Sequence, residues 1–213
     1  MSKPIYIPKT VLISKRAFDL ICAISALIIL APLVPILAIL IKLDSPGPII
    51  FKQKRVGRVF DDHIEEFWMY KFRSMREDAE KNSGPVWASK DDNRVTRIGR
   101  FLRKTRLDEL PQLINIIKGD MSLIGPRPER PGLYPELEQS IPFFTERTYG
   151  IRPGVTGLAQ VLQGYTDTVE QARDKVAFDH AYALRILAPS SWLKTDLEIL
   201  WLTVSVVVMR RGQ

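Results

Sequence analysis

Cysteine is almost absent. The 213-residue chain has one, Cys22. That excludes an internal disulfide, a thiolate zinc site and cysteine-based chemistry. Histidine is nearly as scarce, with only His63 and His180, too few for a histidine-rich metal site. Acid is also in deficit. Asp and Glu total 24 against 31 Lys and Arg, a formal net charge of +7. Excess base implies an anionic partner: nucleic acid, acidic lipid headgroups or a phosphate-bearing small molecule. Internal repeats and low-complexity segments are lacking. The length leaves room for one modest domain beside its longest apolar run.

That run is Leu20 to Ile41, LICAISALIILAPLVPILAILI, and it holds no charged residue. About 20 apolar residues suffice to cross a bilayer as a helix. Pro32 and Pro35 interrupt it, and each removes a helical hydrogen bond. A cleaved signal peptide fits worst, because the run is too long and no small-residue cleavage pattern follows. A single-pass anchor and a re-entrant hairpin bent at the prolines both remain. Lys15 and Arg16 precede the run and Lys42 follows it, so charge asymmetry does not choose between them. Asp19 is expected at the interface, where a carboxylate stays wet.

Asp44-Ser45-Pro46-Gly47-Pro48 then turns the chain into water. Ile49 to Arg58 reads as a strand whose Lys52, Lys54, Arg55 and Arg58 form a solvated cationic face or a headgroup-binding patch. Phe67 to Met75 alternates with period two. Trp68, Tyr70 and Phe72 are expected inside, with Lys71 and Arg73 presented together on the other face. That pair suits a phosphate, and structural ion pairing suits it equally. The stretch from Arg76 to Lys90 reads as a helix end and a loop. Arg94, Arg97, Arg100 and Arg103 recur every third residue around Ile98, Phe101 and Leu102, predicting a helix with one cationic side.

Leu110, Leu113, Ile114 and Ile117 make a helical stripe that Gly119 ends. Pro111 is tolerated only in the first turn, so Asp108 and Glu109 fall at the helix N-terminus, where the dipole favours their ionised forms. The simpler reading of Asp108 is an N-cap. A functional one gains from context, since an arginine array precedes the carboxylate pair. Arg127 follows, on a backbone stiffened by Pro126 and Pro128. A guanidinium so held loses less entropy on gripping a phosphate. Gln163 to Arg185 reads helical. Trp192 to Met209 is apolar but interrupted by Lys194, Asp196 and Glu198, and ends at Arg210 and Arg211; it reads as an interfacial helix.

The chain resembles the bacterial sugar transferases, the monotopic polyprenol-phosphate phosphoglycosyl transferases. The resemblance rests on KRAFDL at 15–20, the proline-broken run, DSPGPIIFKQKRVG at 44–57, YKFRSM at 70–75, RVTRIGRFLRKTRLDELPQLINIIKGDMSLIGPRP at 94–128 and PGVTGLAQV at 153–161. It implies an α+β, mostly helical monotopic membrane protein: a leader over 1–14, a re-entrant membrane helix over 15–43 and a small cytoplasmic catalytic domain with interfacial amphipathic helices over 44–213. It implies transfer of a sugar-1-phosphate from a UDP-sugar to polyprenol phosphate, with release of UMP. Asp108 takes the role of nucleophile through an acyl-phosphate, and Glu109 that of proton handler. Magnesium is the implied cofactor, with Asp108 and Asp179 as metal carboxylates; Asp174 and Asp196 rival Asp179. Arg127, Arg103, Lys71 and Arg73 are the expected phosphate contacts, and Pro32 and Pro35 the membrane kink. The family's Ser-Pro pair reads Ala31-Pro32 here.

The implied location is the bacterial inner membrane, with the catalytic domain on its cytoplasmic face. The implied partners are UDP-sugar, polyprenol phosphate and membrane lipid, with no nucleic acid; a homodimer stays open. The resemblance implies the minimal catalytic form, without the extra N-terminal spans that larger relatives carry. The alternative is a membrane-anchored basic module that binds acidic lipid or nucleic acid without catalysis. The residues do not specify the sugar.

Overall fold

The computed structural model describes residues 7–77, 79, 92–163 and 169–209, with the side chains of 169, 170 and 208 excepted. Most of the polar stretch before Asp92, and Arg210 with Arg211, therefore lie outside the described residues. Two helices open the chain, α1 (Lys9–Leu30) and α2 (Leu33–Asp44). They break at Ala31–Pro32 and are bent by 67°. Pro32 ends the first helix because its ring clashes with the carbonyl four residues back. Pro35 lies in the first turn of α2, where its missing N–H has no partner to lose. Helix α1 begins before the expected end of the leader, and Val11 on its first turns is fully buried. Among the described residues no single helix is long and apolar enough to cross a membrane; α1 and α2 meet that test only as a bent pair.

The foot of α1 is sealed rather than wet, a correction to the expectation for Asp19. Lys15 is 7% exposed and Asp19 1%. Asp19 accepts hydrogen bonds from Ser122 Oγ (3.1 Å) and Leu123 N (2.9 Å). Lys15 Nζ reaches Asp196 at 2.7 Å, and Tyr182 Oη and Trp192 Nε1 donate to the same carboxylate. Arg16 donates to the carbonyls of Ile116 and Ile117. A charge next to an apolar run signals a membrane edge only if it stays in water. Here three charges within five residues of one helix instead find partners on other elements.

Strands β1 (Ile50–Val59) and β2 (Ile64–Phe72) form an antiparallel hairpin whose register shifts between Val56 and Val59. Its faces are not those expected. Phe67 and Met69 are buried, whereas Trp68 is 50% exposed. Strand alternation identifies two faces but not which one the core takes. The core takes the Phe67 face because it packs with Ala23, Leu113, Ile116 and Met121. Phe72 sits on the opposite face, against Leu37, Ile41 and Leu102, and joins α2 to the domain.

Next come α3 (Arg97–Lys104), a single helical turn over Leu107–Glu109, and α4 (Gln112–Lys118). Thr96 caps α3 by accepting from Gly99 N, and Asp44 at the end of α2 accepts from Ile98 N at 2.8 Å. Gly99 has no room for a side chain, since a Cβ would meet the Ser74 carbonyl. Gly119 ends α4 in the left-handed region (φ 94°), as the sequence predicts. Strand β3 (Ser122–Ile124) pairs in parallel with β4 (Gly154–Thr156). Helices α5 (Tyr134–Ser140), α6 (Leu158–Leu162), α7 (Val169–Arg185) and α8 (Pro189–Val208) complete a mostly helical α+β fold. The largest core cluster joins Val11, Ile124, Ile151, Leu158, Tyr182, Ile186, Trp192 and Ile199. Helix α8 leaves Leu193, Leu197, Trp201 and Val204 exposed.

Candidate active site

The cleft is built around an unusual backbone. Arg106 adopts φ 58°, left-handed for a non-glycine residue, between α3 and the Leu107–Glu109 turn. Such a conformation is strained and often accompanies a functional site. It reverses the chain so that Asp108 and Glu109 point into the interior, 6% and 9% exposed. Asp108 caps no helix, because Pro111 is the residue that precedes α4 and no side-chain cap is formed there. The cleft they line has a volume of about 1430 Å³.

The two carboxylates differ in their surroundings. Glu109 Oε1 accepts from Lys71 Nζ at 2.8 Å and lies 3.6 Å from Arg127 Nη1. Burial alone would raise its pKa, but Lys71, Arg127 and Arg106 prevail and hold it well below the usual carboxylate range. Asp108 goes the other way. Burial and the neighbouring Glu109 push it up, against the pull of Lys71, Arg103 and Arg106. Its Oδ1 is buried and has no hydrogen-bond partner. A buried carboxylate oxygen without a donor is costly, and it is available to a cation or a ligand group. Burial lowers the Lys71 ammonium, and the guanidinium of Arg127 adds to that, against Glu109.

Lys71 reaches Glu109 because Asn115 stitches β2 to α4. Asn115 is fully buried; its Oδ1 accepts from Tyr70 N (3.0 Å) and its Nδ2 donates to the Trp68 carbonyl (2.7 Å). The apolar periodicity of α4 hid this residue. Lys71, Arg103 and Arg127 line the same cleft as the dyad; Lys71 and Arg127 contact Glu109, and the charge of Arg103 acts on Asp108. Arg73 lines the cleft too and is bonded to the end of α2. Its Nη2 donates to the Ile41 and Ser45 carbonyls at the end of α2, so it anchors the bent helix pair while lining the cleft. Arg55, read as part of a solvated face, is 9% exposed and donates to the Pro128 carbonyl at 2.9 Å, behind the loop that carries Arg127.

Asp179 lines the same cleft, but one of its oxygens binds Arg147 Nη1 at 2.8 Å in a nearly sealed pair. Its rival Asp196 is fully buried beneath Lys15 and Tyr182. Among the described residues no three His, Cys, Asp or Glu side chains gather as a metal site. Arg147 and Lys175, also on the cleft wall, were not singled out from sequence. They lie outside the arginine-rich run: Lys175 is carried on α7, and Arg147 on the turn over Thr145–Thr148 that bonds to Asp179 of α7.

A buried carboxylate pair beneath lysine and arginine, lining one cleft, is chemistry that suits a phosphorylated ligand. The chain belongs to the bacterial sugar transferase family, whose model matches residues 10–210. It is 42% identical over 198 residues, 93% of its length, to a UDP-N-acetylgalactosamine-undecaprenyl-phosphate N-acetylgalactosaminephosphotransferase of Aeromonas hydrophila. It is 47% identical over 179 residues to the exopolysaccharide production protein PSS of Rhizobium leguminosarum, covering 80% of this chain and 86% of that one. It is 41% identical over 192 residues, 89% of its length, to an Escherichia coli UDP-glucose:undecaprenyl-phosphate glucose-1-phosphate transferase. The chain spans 44% of the Aeromonas protein and 39% of the Escherichia one.

Proposed function

We propose that the protein transfers a sugar-1-phosphate from a UDP-sugar to a polyprenol phosphate, in two displacements through Asp108. The observation that carries this reading is the buried, unpartnered Asp108 oxygen beside a cation-clamped Glu109. Both displacements occur at one phosphorus. A carboxylate oxygen of Asp108 bonds to the sugar-bearing phosphorus, the bond from that phosphorus to the bridging oxygen breaks, and UMP leaves with the electron pair. An oxygen of the lipid phosphate then attacks the same phosphorus and frees the carboxylate. The products are polyprenol diphosphate sugar and UMP. Relatives named for undecaprenyl-phosphate and UDP-sugars support these substrate classes.

Lys71, Arg103 and Arg127 neutralise the phosphate that Asp108 approaches, without which a carboxylate is a poor nucleophile toward an anion. Glu109 is too acidic in the free site to take a proton. A phosphate that engages Lys71 and Arg127 weakens their hold and raises its basicity, so Glu109 becomes a base when the lipid phosphate arrives. Magnesium fits this donor set. The ion usually takes one or two carboxylates and completes its shell with phosphate oxygens and water. Asp108 would hold it through the orphaned oxygen, with Asp179 as the other cleft carboxylate. When bound, it would supply neutralisation of the diphosphate charge.

The α1–α2 pair serves as a re-entrant membrane element, and α8 lies along the interface. Both ends of the pair are tied to the same domain: Lys15, Arg16 and Asp19 at one, Asp44 and Phe72 at the other. Its exposed Ile21, Ile24, Ile28, Ile36 and Ile39 would then face lipid. The domain sits on the cytoplasmic face of the bacterial inner membrane, where the UDP-sugar is made.

The test is UMP release from a panel of UDP-sugars with polyprenol phosphate. Asp108→Asn is expected to lower turnover by roughly 10³-fold or more. Equal turnover in wild type and variant would remove Asp108 as the nucleophile.

A further inference from the structure

Arg127 sits in a segment, Gly125 to Glu129, that has little means of holding itself. Pro126 and Pro128 supply no N–H, so the segment is rich in acceptors and poor in donors. Its four carbonyls from Pro126 to Glu129 are nevertheless all bonded, each to a donor from outside. Gly154 N on β4 donates to the Pro126 carbonyl (2.9 Å) and Val56 N on β1 to that of Glu129 (2.9 Å). Between them, Arg147 Nη2 donates to the Arg127 carbonyl (3.1 Å) and Arg55 Nη1 to that of Pro128 (2.9 Å). The root of the segment is tight as well. Gly154 has no room for a side chain, since a Cβ would meet Gly125 N.

The two side-chain donors are themselves fixed. Arg147 Nη1 is bonded to Asp179 (2.8 Å), and its guanidinium lies 4.5 Å from the Phe144 ring centroid. Arg55 Nη2 is bonded to Gln53 Oε1 (2.7 Å). Both arginines are buried, and among the described residues the Nε of each has no acceptor. A buried donor left bare is costly, so packing alone does not account for a guanidinium at either place. What a guanidinium adds is a planar fork that joins two acceptors at a set separation.

We propose that Arg55 and Arg147 are positioning residues: through the carbonyls of Pro128 and Arg127 they fix the backbone that aims Arg127 at the dyad, and they act on the reaction only through Arg127. This rests on the transfer proposed above, in which Arg127 neutralises the phosphate. Proline fixes its own φ, but ψ decides where each carbonyl points, and the four bonded carbonyls set it. The side chain of Arg127 is 34% exposed and lies 3.6 Å from Glu109, so its place depends on the backbone that carries it. A cation assists only where charge develops, and a misplacement of about 1 Å can cost roughly 10²-fold in rate.

The experiment is a double-mutant cycle on the full chain. It reads kcat for UMP release from a UDP-sugar and polyprenol phosphate, divided by the folded fraction from urea unfolding. Arg55→Met is expected to lower kcat roughly tenfold or more when Arg127 is present. In the Arg127→Ala background, where the bonded carbonyls remain, the same substitution should change kcat by less than about twofold. Arg55→Lys keeps a donor for the Pro128 carbonyl and should recover most of the loss. Arg147→Lys keeps a cation beside Asp179 without the fork, and gives a second cycle should Arg55→Met fold poorly. Equal losses in the two backgrounds overturn the proposal, because Arg55 would then act on substrate or on the fold by itself. No loss in either overturns it too. Wild-type turnover by Arg127→Ala would instead defeat the role given to Arg127 in the transfer, and the two failures are distinguishable.

Discussion

At the residue scale, adjacent carboxylates receive opposite treatment from one set of cations. Lys71 and Arg127 contact Glu109, whereas Asp108 keeps a bare oxygen. The asymmetry assigns roles better than adjacency does. Removing Lys71 should expose it. Lys71→Met leaves a buried glutamate with one fewer cation and is expected to destabilise the fold by about 3 kcal/mol, read as a lower urea midpoint at pH 7. Adding Glu109→Gln should recover much of that loss. The pH dependence has a defined sign. The folded value of Glu109 lies below its ordinary 4.5, so its contribution to stability is present above that value and is lost as pH falls through the folded value. The Lys71→Met fold should lose less stability than wild type over that acid range, measured as the slope of unfolding free energy against pH. An unchanged slope would mean that Lys71 does not set the acidity of Glu109.

At the element scale, the structure separates what a linear pattern carries from what packing decides. Asp108, Glu109 and Arg127 were legible because a proline-started helix, its glycine stop and a proline-flanked arginine are local signals. The bend at Pro32 was legible for the same reason. The face of β2 was not, since alternation is symmetric and only docking on α4 and α1 chooses the Phe67 side. The sealing of Lys15 and Asp19 was illegible too, because their partners lie more than a hundred residues away. Arg147 and Lys175 stood outside any motif for that reason. Asn115 is the clearest such case: an amide in an apolar helix that bonds two backbone groups of β2. Asn115→Ala would leave the Tyr70 N–H and the Trp68 carbonyl unpaired. A loss of about 3 kcal/mol is expected by chemical denaturation. Turnover should fall further than the folded fraction does, because Lys71 is carried on the strand that Asn115 holds. Turnover that merely tracks the folded fraction would show that the strand keeps its position without the amide.

At the scale of the whole molecule, the bent helix pair has both feet on one domain, which constrains how it would meet a bilayer. Past Asp19, α1 continues for about 11 residues, roughly 16 Å, and the 12 residues of α2 extend roughly 18 Å. A bilayer core is about 30 Å thick, so neither arm alone reaches across it. Straightening the pair would make it long enough, but would tear α2 from Phe72 and Leu102 and break the bond from Ile98 N to Asp44. The bend is also supported locally by Pro32, so a straight form would have to restore helical geometry across a missing donor. A spanning pair would set the two feet on opposite sides of the membrane; a re-entrant pair keeps them together. Cysteines introduced at Lys9 and at Asp62, whose side chain is 83% exposed, report on the two sides of the pair. The background is Cys22→Ala, which removes the one native thiol. In inside-out membrane vesicles a membrane-impermeant maleimide is expected to label both positions to a similar extent, and in right-side-out vesicles neither. Labelling of one position in each orientation would overturn the hairpin, and with it the idea that the pair fixes the depth at which Asp108 meets the lipid phosphate.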